Sequence, residues 1–135
     1  MQIELWQIHA GTMTTGLIIV IVVALIARFL RGKNWWLRVH KSVASIGTLT
    51  VLAGFSVAFY MVTTTSGVHF AYLHSYMGLT SVTLALITTI TGYARQRGKL
   101  KVNRTLFRRL HISLAVLTAS FMTLTIYMGL GLVYG

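Results

Sequence analysis

The stretch WLRVHKSVASIGTLTVLAGFSVAFYMVT, residues 36–63, decides the fold. Arg38 and Lys41 stand near its start, and no Lys, Arg, Asp or Glu follows. About 20 apolar helical residues cross a hydrocarbon core, so this stretch reads as a membrane span. Residues 6–30, 70–93 and 107–133 have the same character, and none carries Lys, Arg, Asp or Glu in its central two-thirds. The whole chain, 135 residues with 56% apolar and 10% charged side chains, lies far from the composition of a soluble domain. The expected fold is all-α: a transmembrane four-helix up-and-down bundle forming one domain over residues 1–135. Without prolines the helices should run straight.

A net charge of +11 suggests nucleic acid until its distribution is read. All twelve basic residues fall in two patches, from Arg28 through Arg31, Lys33, Arg38 and Lys41, and from Arg95 through Arg97, Lys99, Lys101, Arg104, Arg108 and Arg109. These are the loops joining spans one to two and three to four, which lie on one side of a four-span bundle. An excess of Lys and Arg assigns that side to the cytoplasm, so both termini, and the one acid Glu4, face outward. The patches are solvated faces touching anionic lipid, and no nucleic-acid partner is expected. The expectation is an integral protein of the cell membrane. Residues 1–8 lack a basic n-region, so the first stretch reads as an uncleaved span and not as a signal peptide.

Each span carries one histidine near its N-terminal end: His9, His40, His74 and His111. Imidazole is costly in hydrocarbon and is a natural ligand for iron, so four at regular positions point to bound metal, haem above all. Zero cysteines exclude thiolate ligands, c-type attachment and iron–sulfur clusters. Topology sorts the four into two levels. His9 stands 19 residues before Arg28 and His74 stands 21 before Arg95, nearly the same height at about 1.5 Å per residue. His40 and His111 each follow an Arg by two, within the repeated pattern Arg38-Val-His40-Lys-Ser42-Val-Ala44 and Arg109-Leu-His111-Ile-Ser113-Leu-Ala115. Spans one and three lie on one diagonal of the bundle and two and four on the other, so each pair can clamp one planar macrocycle. Bis-histidine ligation closes the iron to oxygen and suits electron transfer.

Small residues share the ligand faces: Gly16 two turns from His9, Gly47 and Gly54 at two and four turns from His40, and Gly78 one turn from His74. They allow a flat ring to approach the backbone, or else serve close helix packing. At the inner level Arg38, Lys41, Arg108 and Arg109 could pair with haem propionates, or could simply be positive-inside residues. The outer level has no cation. His69, five residues before His74, has the wrong spacing for the same helix face and reads first as a loop histidine at the headgroups. Its functional alternative is an outer redox or quinone site with Tyr72 and Trp6. Trp35, Trp36, Tyr60 and Tyr134 read as interfacial anchors.

With His9 and His74 for an outer haem and His40 and His111 for an inner one, the chain resembles the four-helix core of the cytochrome b561 superfamily. The resemblance implies two b haems and electron transfer across the membrane; the chain departs from the animal and plant enzymes in lacking extra flanking helices, and their ascorbate-contacting residues find no match in it. It also implies partners: a chain this small resembles the cytochrome b subunit of a larger quinone-linked or extracellular electron-transfer complex that docks a periplasmic haem protein or other redox subunits. Two other classes compete, a cofactor-free membrane anchor and a small transporter. The transporter class relies on a membrane-embedded carboxylate, and no span has one.

Overall fold

The computed structural model describes residues 4–98 and 101–134; Lys99 of the second basic patch lies outside them. Four helices follow one another: α1 Leu5–Phe29, α2 Trp36–Thr65, α3 Leu73–Gln96 and α4 Arg104–Tyr134. Each is long and apolar enough to cross a membrane. The helix α3 begins three residues later than residues 70–93 suggest, because Tyr72 is extended at its N-cap (φ −123°, ψ 151°) and leaves His69 and Phe70 in the loop. In the other direction, α4 begins three residues earlier than expected. The Asn103 side chain accepts the free N–H groups of Thr105 and Leu106 at 2.8 and 3.4 Å, which starts the helix there. Gly67 and Gly98, both with φ +69°, end α2 and α3 in the left-handed conformation that glycine adopts without strain.

Neighbours in sequence are neighbours in space: α1 packs on α2, α2 on α3, α3 on α4, and α4 closes the ring on α1. At the centre Met13, Val51, Val82 and Met122, one from each helix, form the buried core. Outside, Leu49, Ile90 and Val116 are 65%, 61% and 59% exposed, as suits a surface whose solvent is lipid. The hairpins use different chemistry to approach. Between α1 and α2, a Cβ on Gly16 would stand 2.7 Å from Val51 Cγ2, and one on Gly47 would stand 2.8 Å from Ile19 Cγ2. Between α3 and α4, hydroxyls meet instead: Ser81 with Thr125 at 3.2 Å and Thr88 with Thr118 at 3.3 Å. This explains why α3 spans with a mean hydropathy of only 1.3 against 2.4 for α1. Its hydroxyls also return to carbonyls one turn back, as Thr80 does to Tyr76 and Thr83 to Leu79, so no polar group is left bare to lipid by them.

The duplication suggested by the histidine motif extends through the core. His40 and His111 are 71 residues apart (111 − 40), and adding 71 to the buried Gly47, Val51 and Gly54 of α2 gives Thr118, Met122 and Thr125, the buried residues of α4. The halves therefore bury corresponding positions with different side chains.

A close-packing role for Gly16 has a direct consequence. Gly16→Ala should destabilise the folded bundle by about 1–3 kcal/mol through overpacking. Gly11→Ala, where nothing lies within 4 Å, should be neutral or stabilising by up to about 1 kcal/mol. Thermal denaturation in detergent, followed by far-UV circular dichroism, measures both.

Candidate haem site

The four helices bring the four histidines together in twos. The rings of His9 on α1 and His74 on α3 have centroids 6.2 Å apart and planes crossing at 87°. Those of His40 on α2 and His111 on α4 are 6.5 Å apart at 62°. Both pairs join diagonal helices, one at the end that carries the termini and one at the basic end. With a metal–nitrogen bond of about 2 Å, and a ring nitrogen roughly 1 Å from its centroid, two imidazoles sharing one metal have centroids about 6 Å apart. Each pair has that separation. Among the described residues no three or more His, Cys, Asp or Glu converge. A bare ion such as zinc would want about four protein ligands, whereas a porphyrin supplies its own four nitrogens and leaves two axial positions.

The second nitrogen of each ring sharpens this fit. His9 Nδ1–H donates to Gly54 O at 2.9 Å, His74 Nδ1–H to Thr125 O at 2.9 Å and His40 Nδ1–H to Val23 O at 3.3 Å. Each bond fixes the tautomer that leaves Nε2 with a free lone pair, the arrangement found at metal-bound imidazoles. The acceptors lie on the hairpin partner: α2 for His9, α1 for His40 and α4 for His74. The fourth ring departs from the pattern. His111 Nδ1 is buried and has no hydrogen-bond partner among the described residues. Phe107, one turn earlier, stacks on its ring at 5.6 Å and 18°.

Four of the anticipated site residues are glycines, and they divide between two jobs. Gly54 offers its carbonyl to His9, and Gly78 lines a cavity between His9 and His74. Gly16 and Gly47 face Val51 and Ile19 on the facing helix of their own hairpin. Two further glycines touch the histidines more closely. A Cβ on Gly129 would stand 2.8 Å from His74 Cε1, and one on Gly92 3.3 Å from His111 Cε1. Each stands 18 residues, five helical turns, after the histidine of its own helix (92 − 74 and 129 − 111), so a spacing signal for both was present in the sequence.

At the basic end Arg38, Arg108 and Arg109 are exposed and Lys41 is half-buried. The cations that approach the aromatics beside these histidines are others: Arg31 lies 5.5 Å from the Trp36 ring and Arg95 lies 5.8 Å from that of Phe107. Trp36 in turn is 5.9 Å from His40. Both aromatics stand four residues before their histidine, a helical spacing visible in the sequence. At the other end His69 lines the cavity of His9 and His74, with its ring stacked on Phe59 at 4.1 Å and its Nε2 3.3 Å from Thr63 Oγ1. Tyr72 is 61% exposed, while Trp6 packs edge-on against Tyr134 and donates its indole N–H to Glu4; neither lines that cavity.

A family model described as eukaryotic cytochrome b561 matches residues 8–133, which span all four histidine-bearing helices. The chain belongs to the cytochrome b561 family. Curated proteins and solved structures gave no match. As a cytochrome b561 the protein is an integral membrane protein, in contact with lipid, that binds haem b and carries electrons. That membership sets aside the cofactor-free anchor and the small transporter.

The approach of Gly129 to His74 can be tested in this cytochrome b561 without knowing its redox partners. Gly129→Ala should displace the His74 ring and lower the haem-to-protein ratio of the purified protein. Gly131→Ala, with nothing within 4 Å, should leave that ratio at the wild-type value.

Proposed function

We propose that the chain is a dihaem cytochrome b that passes single electrons across the membrane, in which His9 and His74 would hold an outer haem and His40 and His111 an inner one. The observation that carries this reading is the pairing itself: two imidazoles at about ligand-sharing distance at each end, with carbonyl-tethered Nδ1 groups on three of the four. Haem with two imidazole ligands supplies reversible one-electron chemistry and offers no open coordination position. The chain's own residues do the rest. The carbonyls of Gly54, Thr125 and Val23 orient the rings and raise their basicity as ligands. Gly78 keeps the wall of the outer cavity low, and Met13, Val51, Val82 and Met122 separate the two levels with an apolar, close-packed layer.

In this reading the basic end faces the cytoplasm of a cell membrane, both termini lie outside, and residues 1–135 form one domain. Arg38, Lys41, Arg108 and Arg109 then serve the propionates of the inner haem. The alternative of a cytochrome b subunit in a larger complex draws on one observation: His69, half-buried on Phe59, lines the outer cavity, where a quinol or a periplasmic haem protein could exchange electrons.

His111→Ala should remove one haem per chain and leave a b-type reduced-minus-oxidised spectrum at about half the wild-type intensity. His9→Ala should do the same through the other pair, and the double variant should be colourless. Retention of both haems in either single variant would refute the ligand assignment.

A further inference from the structure

The two ligand pairs differ in what holds their rings. At the outer pair both Nδ1–H groups donate to carbonyls at 2.9 Å. At the inner pair one bond is long, 3.3 Å from His40 to Val23, and the other is missing, since His111 Nδ1 is buried without a partner among the described residues. What the inner pair has instead is a column of aromatic and cation. Arg95 lies over Phe107 at 5.8 Å, and Phe107 stacks on His111 at 5.6 Å and 18°. The other half repeats it more loosely: Arg31 lies over Trp36 at 5.5 Å, and Trp36 is tilted at 52° to His40 at 5.9 Å. Trp36 and Phe107 are themselves 71 residues apart (107 − 36), the interval that relates the two ligands. No aromatic–cation column accompanies His9 or His74 among the described residues.

We propose that Phe107, held between Arg95 and His111, is the positioning residue of the inner ligand pair, and that this substitution of a stacked column for a carbonyl tether makes the inner site the higher-potential one. The inference rests on the dihaem reading above. Its sign follows from two effects that agree. An imidazole whose N–H donates to a carbonyl gains basicity and favours the oxidised iron, so a ring without that bond favours the reduced state. Guanidinium groups one aromatic ring away from the ligand also favour the less positive, reduced iron, the half-buried Arg95 more than the exposed Arg31, which solvent screens. An electron entering at the outer pair is therefore drawn toward the basic end. Phe107 fixes the ring angle that the absent hydrogen bond would otherwise fix, and Gly92 leaves room for that ring: a Cβ there would stand 3.3 Å from His111 Cε1.

A spectroelectrochemical titration of the full-length haem-loaded protein, with ferric low-spin EPR, tests this. The signal that survives in His74→Ala is the inner one. Wild type should show the inner midpoint above the outer. Arg95→Gln should shift only the inner midpoint downward, with Arg95→Lys restoring most of it. Gly92→Ser, which offers an acceptor near Nδ1, should lower the inner midpoint relative to Gly92→Ala, which adds the same Cβ without one. Phe107→Leu should change the g-anisotropy of the inner signal, which reports the angle between the imidazole planes, while Phe107→Tyr keeps it. An inner midpoint at or below the outer one, or an inner g-anisotropy untouched by Phe107→Leu, would overturn the proposal. Should Phe107→Leu fail to assemble, the Arg95 and Gly92 variants decide. A wild-type protein with fewer than two haems would instead refute the dihaem reading, so the two failures are distinct.

Discussion

A ring N–H placed in hydrocarbon is costly without an acceptor, and for three of the four paired histidines of this bundle it finds the second lone pair of a helix carbonyl across the hairpin. A helical carbonyl already accepts from the N–H four residues on, yet it can accept once more. His9 uses Gly54 in this way and His40 uses Val23, so α1 and α2 are joined by reciprocal bonds near their two ends. The bonds require close backbones, and Gly16, Gly47 and Gly54 provide them by removing side chains that would otherwise meet Val51, Ile19 and Met13. Once the Nδ1 side of a ring is tied to its hairpin partner, the Nε2 side is left for the interior and for the diagonal helix. The pairing of His9 with His74 follows from tethers within hairpins and from the closing of four helices into a ring.

The two halves reach this arrangement by different routes. Glycines bring α1 and α2 together, whereas Ser81, Thr88, Thr118 and Thr125 join α3 and α4 through hydroxyls. Position 54 and position 125 correspond by the 71-residue interval, and each offers its carbonyl to the histidine of the neighbouring helix. What the duplicated halves share is thus the backbone acceptor, which is independent of side chain. The correspondence fails at His111, whose Nδ1 meets no carbonyl among the described residues.

The sequence made the spans and the histidine levels legible because both depend on quantities it carries directly: apolar length, and residue count from a charged end. Diagonal pairing followed from up-and-down topology alone. Helix starts were less legible. Residues 70–72 are as aromatic as a span, and only the extended Tyr72 backbone excludes them from α3. Gly92 and Gly129 stand five turns after His74 and His111, so their place on the histidine faces was readable; that each meets the histidine of the other helix depends on how α3 and α4 are rotated. Trp36 and Phe107 occupied a readable position, one turn before a paired histidine, but an aromatic at a span's end reads first as an interfacial anchor. Arg31 and Arg95 likewise looked like any other positive-inside residue until their place over those rings was seen.

Function in this account reduces to a count. If paired imidazoles at each end are ligand pairs, the protein holds two haems in one four-helix unit, and the apolar layer around Met13, Val51, Val82 and Met122 lies between them. The ratio of haem iron to polypeptide in the purified wild-type protein, taken by pyridine haemochrome against quantitative amino-acid analysis, tests that directly. The account predicts two b haems per chain; a ratio of one or zero would contradict it.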